Sequence, residues 1–577
     1  MRLECLIVSL ISVSTALFES LGRPLTEIPL GSDHPSIIET FTNDPVPLEI
    51  VTCPNEMVAL SAAQAMAQVT GRAQAVIVHV DVGTAALGGA LHNVSCSRVP
   101  VLIFAGLSPL TQEGELPGSR TEYIHYLQDV HNQRNLVNNY TRFDYEIRSA
   151  KHIKQMVNRA LMFANSEPKG PVYLCAAREV LEEQIEPYKL NQNQWLPVEL
   201  GVLPHKAVHH IVQLLSNATR PLIVTGSIGR DISAVKELEK LAMLLDIEVL
   251  DTGLSDLNFP ANCHLWRGSA LGSSPLIPEA DVILILNCNV PFIPTQSRPA
   301  DTATVVHIDV DVLKENMPLH YTWAEYKYRA DAAAAVCQLL EYCEANGTRR
   351  VPTQANVQRY QQFVAELTAK EQVLSMDAPL TAPVAIACVR EQIPMNSMVL
   401  SESVTNAINV VHHMRLTEPG SFMNSGGGGL GWLAGGAVGA KLGLQSIGQT
   451  DRFLTAFVGD GCFVFSVPTA AYWMAARYNT PFLTIVFNNG GWNAPKHSTL
   501  LVHPHGSTSK STRAQMHISF ENPDIDYGAV AKAASGGSAY VAEASTMSQL
   551  LEVLPQAIAA VKKGNLAVID LKIVKIP

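Results

Sequence analysis

A chain of 577 residues, 47% apolar and 16% charged, is too long for one hydrophobic core and too apolar for a disordered or fibrous protein, so three or four globular units are expected. The net charge of −11 and the lack of any Lys/Arg run give no surface for nucleic acid. Ten scattered cysteines, with no CxxC pair and no Cys/His zinc spacing, read as reduced, buried thiols and not as a disulfide framework.

Met1-Arg2, the apolar run 5–18 and small residues near Ser14-Thr15-Ala16 imitate a signal peptide, in a run too short to span a bilayer. Residues 15–21 also read as the first helix of the first unit, which cleavage would remove. We read the protein as intracellular and cytoplasmic, without a membrane partner, with secretion or an organelle as the alternative. Residues 1–190 form the first unit. Leu30-Gly31-Ser32-Asp33-His34-Pro35 is a turn opening a helix at 36–41, and Glu56 starts an Ala-rich helix to Thr70 that Gly71 ends. Residues 75–80 and 101–104 read as buried strands. The second unit, 197–345, has strands at 222–225, 248–251, 282–286 and 305–310, with an amphipathic helix at 233–245. The polar stretch 346–356 looks like a linker. The third unit, 375–577, closes with a strand at 567–574. Repeated β-α alternation of this kind predicts an α/β protein of three doubly wound parallel-sheet domains.

Chemistry concentrates in the third unit. Residues 453–458 form a strand-length apolar run broken at Gly459-Asp460-Gly461, where glycine permits a tight turn and close backbone approach to a ligand. Ser466 suits an N-cap and Pro468 a first helical turn, and a second buried strand at 482–487 ends in Asn488-Asn489-Gly490-Gly491. Polar groups then stand at the carboxyl ends of two strands, where open α/β sheets place ligands, and hard oxygen donors of this kind suit Mg²⁺ holding a diphosphate. Residues 424–432 contain a GxGxxG, Gly426-x-Gly428-x-x-Gly431, but the residues before it (416–425) are polar and turn-rich, against a dinucleotide fingerprint. Residues 496–524, rich in His, Ser and Pro, read as a functional loop or lid.

The GDG turn and the Asn pair, with Asp460 and Asn489 29 residues apart, are similar to the cofactor motif of thiamine-diphosphate (ThDP) enzymes. The three-unit layout resembles their acetolactate synthase and benzoylformate decarboxylase branch across nearly the whole chain. The resemblance implies pyrimidine-binding, central and diphosphate-binding domains in that order. It implies that Glu56, in CPNEMVALSAAQAMAQVTG, sits against the aminopyrimidine ring, where an apolar site would raise its pKa; by itself, a glutamate in a first helical turn is ordinarily solvated. Glu402, Ser403, Val404 and Thr405 would touch the diphosphate through hydroxyl and backbone N–H groups, together with Gly459, Gly461 and Cys462. Leu430 would wedge beneath the thiazolium and Gly428 offer its carbonyl to the 4′-amino group. Asp460, Asn489 and the carbonyl of Gly491 would complete the Mg²⁺ shell. Cys462 stands where the family commonly has Ser, and a thiol is the weaker donor.

Ser32 and His79 match a substrate-binding serine and a proton-relaying histidine of the decarboxylase relatives, with His34 equally well placed and Gln128 lining the site. For His79, a hydrogen-bonded histidine at a strand end is the competing reading; for His497, His503 and His505, a solvated loop is. The implied activity is decarboxylation of a 2-oxo acid, with the acyl anion carried on C2 of ThDP and released as an aldehyde or passed to a second carbonyl, in a homodimer or homotetramer with shared sites. The glycine run is not the GTMGFGLPAA stretch of true acetolactate synthases, and Gly226-x-x-Gly229 is too weak to assign FAD. Acyl-CoA lyase chemistry and a catalytically silent partner subunit are the alternative readings.

Overall fold

A computed structural model of the chain describes residues 25–28, 31–43, 49–186, 188–253 and 255–574. The signal-like stretch at 1–21 lies outside the described residues. No helix among the described residues is long and apolar enough to cross a membrane.

Three six-stranded, wholly parallel sheets follow one another along the chain. The first runs, edge to edge, Glu49–Thr52, Leu25–Ile28, Gln74–Val78, Val101–Leu107, Val172–Ala177, Phe143–Ile147. The third repeats that order strand for strand: Phe422–Met423, Met398–Glu402, Leu454–Gly459, Leu483–Asn488, Ala567–Lys572, Tyr540–Ala544. The central sheet differs. Its order, Trp266–Ser269, Glu248–Asp251, Pro221–Thr225, Val282–Leu286, Thr304–Asp309, Tyr326–Arg329, is third-second-first-fourth-fifth-sixth in sequence. Helices cover both faces, so the strands read as continuous apolar runs such as Val282–Leu286, buried throughout.

The outer units meet along two helices. Asn55 caps Glu56–Thr70, its side chain accepting from the Val58 N–H, and Gly71 ends it in the left-handed conformation. This helix lies against Leu433–Ser446, whose Gly435, Gly439 and Gly443 present bare backbone: a Cβ at Gly439 would stand 2.0 Å from the Ala62 carbonyl oxygen. The central unit is tied in by Arg98, which donates to Asp309 at 3.0 Å, with Lys314 on the same carboxylate at 2.5 Å. Burial alone would raise Asp309; the two cations overcome it and hold it at about 2.

Some boundaries move. The strand expected at 75–80 is Gln74–Val78, because the backbone turns into the helix Val80–Ala86 directly after His79. Helix Gln354–Lys370 takes up the end of the expected linker. Ser466 does not cap: its hydroxyl donates back to the Phe463 carbonyl, closing a short helix Asp460–Phe465, and Val467 in the left-handed region precedes Pro468–Arg477. Residues 496–524 are not all loop, since Asn493–Val502 is helical. The glycine run does follow a strand, but one of two residues at the sheet edge.

Candidate active site

At the carboxyl edge of the first sheet, the turn after Leu25–Ile28 and the end of Gln74–Val78 bring an acid and two imidazoles together. Asp33, 1% exposed, takes a short hydrogen bond from His79 Nδ1 and a second from the Val80 N–H at 3.2 Å, and lies 3.3 Å from His34 Nε2. Gln128 Nε2 is 2.7 Å from the other nitrogen of His79. Two glycines make room: a Cβ on Gly31 would collide with the His79 ring and one on Gly106 with the Asp33 carboxylate. Burial by itself would lower His79; the hydrogen bond and charge of Asp33, aided by Asp81 and Glu56, overcome it and raise its pKa. Asp33 is lowered against its own burial by the same contact. His34 is wholly buried, lowered by burial, and its Nδ1 accepts the Gly31 N–H at 3.1 Å, so it shapes the turn more than it faces a substrate. Half-buried Glu56 flanks Gly83 on the same edge. Ser32 Oγ is 3.4 Å from His125 Nε2.

The corresponding edge of the third sheet is built from backbone. Asp460, at the first turn of its helix, accepts the N–H groups of Gly461 at 2.7 Å, Asn489 at 3.2 Å and Gly491 at 2.9 Å, and burial raises its pKa despite them. Asn489 Oδ1 is buried with no hydrogen-bond partner. An orphaned amide oxygen beside a buried carboxylate is an acceptor pair that asks for a cation. Among the described residues no cluster of three or more His, Cys, Asp or Glu could hold a metal, so a cation at Asp460 would draw its remaining oxygens from a bound phosphate and from backbone. Gly491 has φ +144 and pairs with Ser519, and Trp492 closes over Gly461, where a Cβ would lie 2.4 Å from the indole nitrogen. Arg513, from the loop beyond Asn493–Val502, donates to the Asn489 carbonyl.

Two residues expected near the diphosphate have their side chains engaged within the chain. Glu402 turns inward: its carboxylate accepts the N–H groups of Gly431 at 2.6 Å and Leu433 at 2.7 Å, anchoring the glycine run at the start of helix Leu433–Ser446, and burial lifts it to about 7. Ser403 is buried with its hydroxyl 2.9 Å from that of Ser401. Val404 and Thr405 remain at the surface of the turn, Val404 at φ +41. A β-branched residue with positive φ is strained, and Val80 (φ +28) and Val467 (φ +47) show the same beside His79 and the Asp460 helix. Cys462 is buried against Glu402 and Asp460; burial and these acids push its thiol well up, so it is a neutral wall of the turn. Gly428 is exposed and its N–H donates to His92 Nε2 at 3.0 Å, while Asn93 clasps Gly429 in both directions. Leu430 packs at the edge of the shared core and, with Gly428, Gly226 and Arg230, borders a cavity of about 1020 Å³ where the three units meet. His497, His503 and His505 are exposed.

Sequence reasoning missed Asp33, His125, His92 and Asn93. Asp33 stood in the same LGSDHP turn as two predicted residues and was the one local signal available.

Three family models match in chain order: Thiamine pyrophosphate enzyme, N-terminal TPP binding domain, over 28–136; central domain, over 208–339; and C-terminal TPP binding domain, over 403–571. The chain is 23% identical over 374 residues to a probable acetolactate synthase large subunit of Methanococcus aeolicus, spanning 60% of this chain and only 60% of that protein's length. It is 25% identical over 493 residues to 2-hydroxyacyl-CoA lyase 2 of Homo sapiens, covering 77% and 73% of the two chains. To benzoylformate decarboxylase of Pseudomonas aeruginosa it is 23% identical over 501 residues, covering 84% and 87%. In fold it is similar to the thiamine diphosphate-dependent 4-hydroxybenzoylformate decarboxylase of Rhodococcus jostii RHA1, with TM-score 0.77, 21% identity and 99% of both chains covered.

Proposed function

The chain belongs to the thiamine pyrophosphate enzyme family, and from that premise we propose that it is a ThDP- and Mg²⁺-dependent 2-oxo acid decarboxylase or carboligase. The observation that carries this reading is His79, gripped at one nitrogen by Asp33 and at the other by Gln128 on the edge that also holds Glu56. Bound ThDP supplies the nucleophilic carbon and the electron sink. The chain's own residues hold it and move protons. Asp460 and the Asn489 amide oxygen would take the Mg²⁺, and the Gly461 turn would lie along the diphosphate. Glu56 would share a proton with the pyrimidine nitrogen, and His79, its basicity raised by Asp33, would deliver or remove the proton on the substrate side.

The first sheet's edge supplies side-chain acids and bases and the third sheet's edge a cation and phosphate cradle, so a complete site needs both. Apolar side chains stand exposed beside each, Tyr123 and Leu127 near the first, Phe465, Leu501 and Val502 near the second. That pattern supports closure of the site between two copies of the chain, in a homodimer or homotetramer. CO₂ release from a panel of 2-oxo acids, with and without ThDP and Mg²⁺, tests the reading: a cofactor-dependent signal is expected, and its absence across the panel rejects decarboxylation. The similarity to a 2-hydroxyacyl-CoA lyase favours C–C cleavage of a 2-hydroxyacyl-CoA as second reading, separated by aldehyde release from that substrate.

A further inference from the structure

Arg178 is a cation for which the proposed chemistry has no use. It directly follows strand Val172–Ala177, half-buried at the carboxyl edge of the first sheet. Among the described residues no carboxylate lies within ion-pair distance of it. Its Nη1 stands 3.3 Å from Thr121 Oγ1 and 3.2 Å from His125 Nε2, and its Nε is buried with no hydrogen-bond partner. A guanidinium presents donors only, and a buried N–H without an acceptor is costly unless a ligand supplies one.

Its neighbours hold the guanidinium in place. His125, 1% exposed, has its pKa lowered by burial and by Arg178, which keeps the ring neutral. Arg178 Nη1 can only donate, so His125 Nε2 accepts from it at 3.2 Å, and Ser32 Oγ lies 3.4 Å from the same nitrogen. Glu122, on the exposed rim 3.8 Å from His125 Nε2, is the acid nearby. His125 and Thr121 thus fix a guanidinium whose Nε–H has no acceptor, with Ser32, one residue from Asp33, against the same imidazole, and a guanidinium held this way matches a planar carboxylate.

The carboxylate lost as CO₂ is the wrong occupant. A guanidinium gripping it would stabilise the ground state, whose charge leaves that group in the transition state, and would slow the step. We propose that Arg178, held by His125 and Thr121 beside Ser32, forms a subsite for a second carboxylate on the substrate, so that the preferred 2-oxo acid is a dianion. The identity of the substrate rests on the decarboxylase reading; the anion subsite does not.

Calorimetric titration of the full-length protein, with and without ThDP, tests this using 2-oxoglutarate, glutarate and 2-oxohexanoate. The expected result is that 2-oxoglutarate binds the wild type at least about tenfold more tightly than 2-oxohexanoate, that Arg178→Met removes the preference and that Arg178→Lys keeps part of it. No binding of 2-oxoglutarate, equal affinities in the wild type, or a preference that survives Arg178→Met overturns the proposal. Should Arg178→Met fail to fold, an unchanged preference in both Arg178→Lys and Ser32→Ala overturns it. Turnover separates the two readings. Arg178-dependent glutarate binding without turnover of any 2-oxo acid upholds the subsite and rejects the decarboxylase; turnover of monoanionic acids with no Arg178-dependent preference does the reverse.

Discussion

The first and third sheets share one strand order, yet their carboxyl edges carry different chemistry. Along the first, side chains line the edge: Asp33, His79 and Glu56 can each take or give a proton, and Gln128 hydrogen-bonds to His79. Along the third, backbone lines it: the Gly461, Asn489 and Gly491 N–H groups converge on one carboxylate, and the Asn489 amide oxygen is left without a partner. On the proposed function, the same topology would serve as a proton-handling wall in one place and as a cation and phosphate cradle in the other. Function here is set by what terminates each strand and not by the sheet.

That division can be broken from either side. Glu56→Gln attacks the proton wall and should slow exchange of the ThDP C2 proton by about 10²–10⁴-fold while ThDP still binds, followed by deuterium loss in NMR; unchanged exchange would remove Glu56 from the wall. Asp460→Ala attacks the cradle and should weaken Mg²⁺-dependent ThDP binding by about 100-fold in a calorimetric titration. Gly439→Ala pushes the two units apart where they touch, since the new Cβ meets the Ala62 backbone. A destabilisation of about 1–3 kcal/mol is expected, seen as a lower denaturation midpoint.

The smallest effect sharpens the contrast through pH. His79 is raised, so the stability it draws from Asp33 is fully present below the ordinary histidine pKa and is lost as pH climbs through its folded value. Asp33 is lowered, so its share is present above the ordinary aspartate pKa and disappears as pH falls through the folded value. Asp33→Asn removes the main support of His79 and leaves burial opposed only by Asp81 and Glu56. The activity limb that depends on protonated His79 should then move to lower pH, with kcat down about tenfold. A pH–rate profile that does not move would show that His79 does not handle the proton.

The cradle was legible because it is local. Gly459-Asp460-Gly461 and Asn488-Asn489 end adjacent parallel strands, and a turn of that kind is written in consecutive residues. The proton wall was legible only in its members. Asp33 meets His79 across 46 positions, His125 meets Ser32 across 93 and Arg178 meets His125 across 53, and no local pattern encodes such pairings. Glu402 shows a third case. Its type and place at a strand end were read correctly, but the direction of its side chain depended on the N–H groups of Gly431 and Leu433, some thirty residues on.

Sequence alone determined the α/β class, the three parallel sheets and the glycine-flanked turn at Asp460, because apolar runs, helix periodicity and glycine each act over a few residues. Tertiary structure decided which donors were left without acceptors. Whether the Asn489 oxygen or the Arg178 Nε is satisfied depends on every neighbour the fold brings within about 3 Å, and that is where the candidate metal and carboxylate sites first became visible.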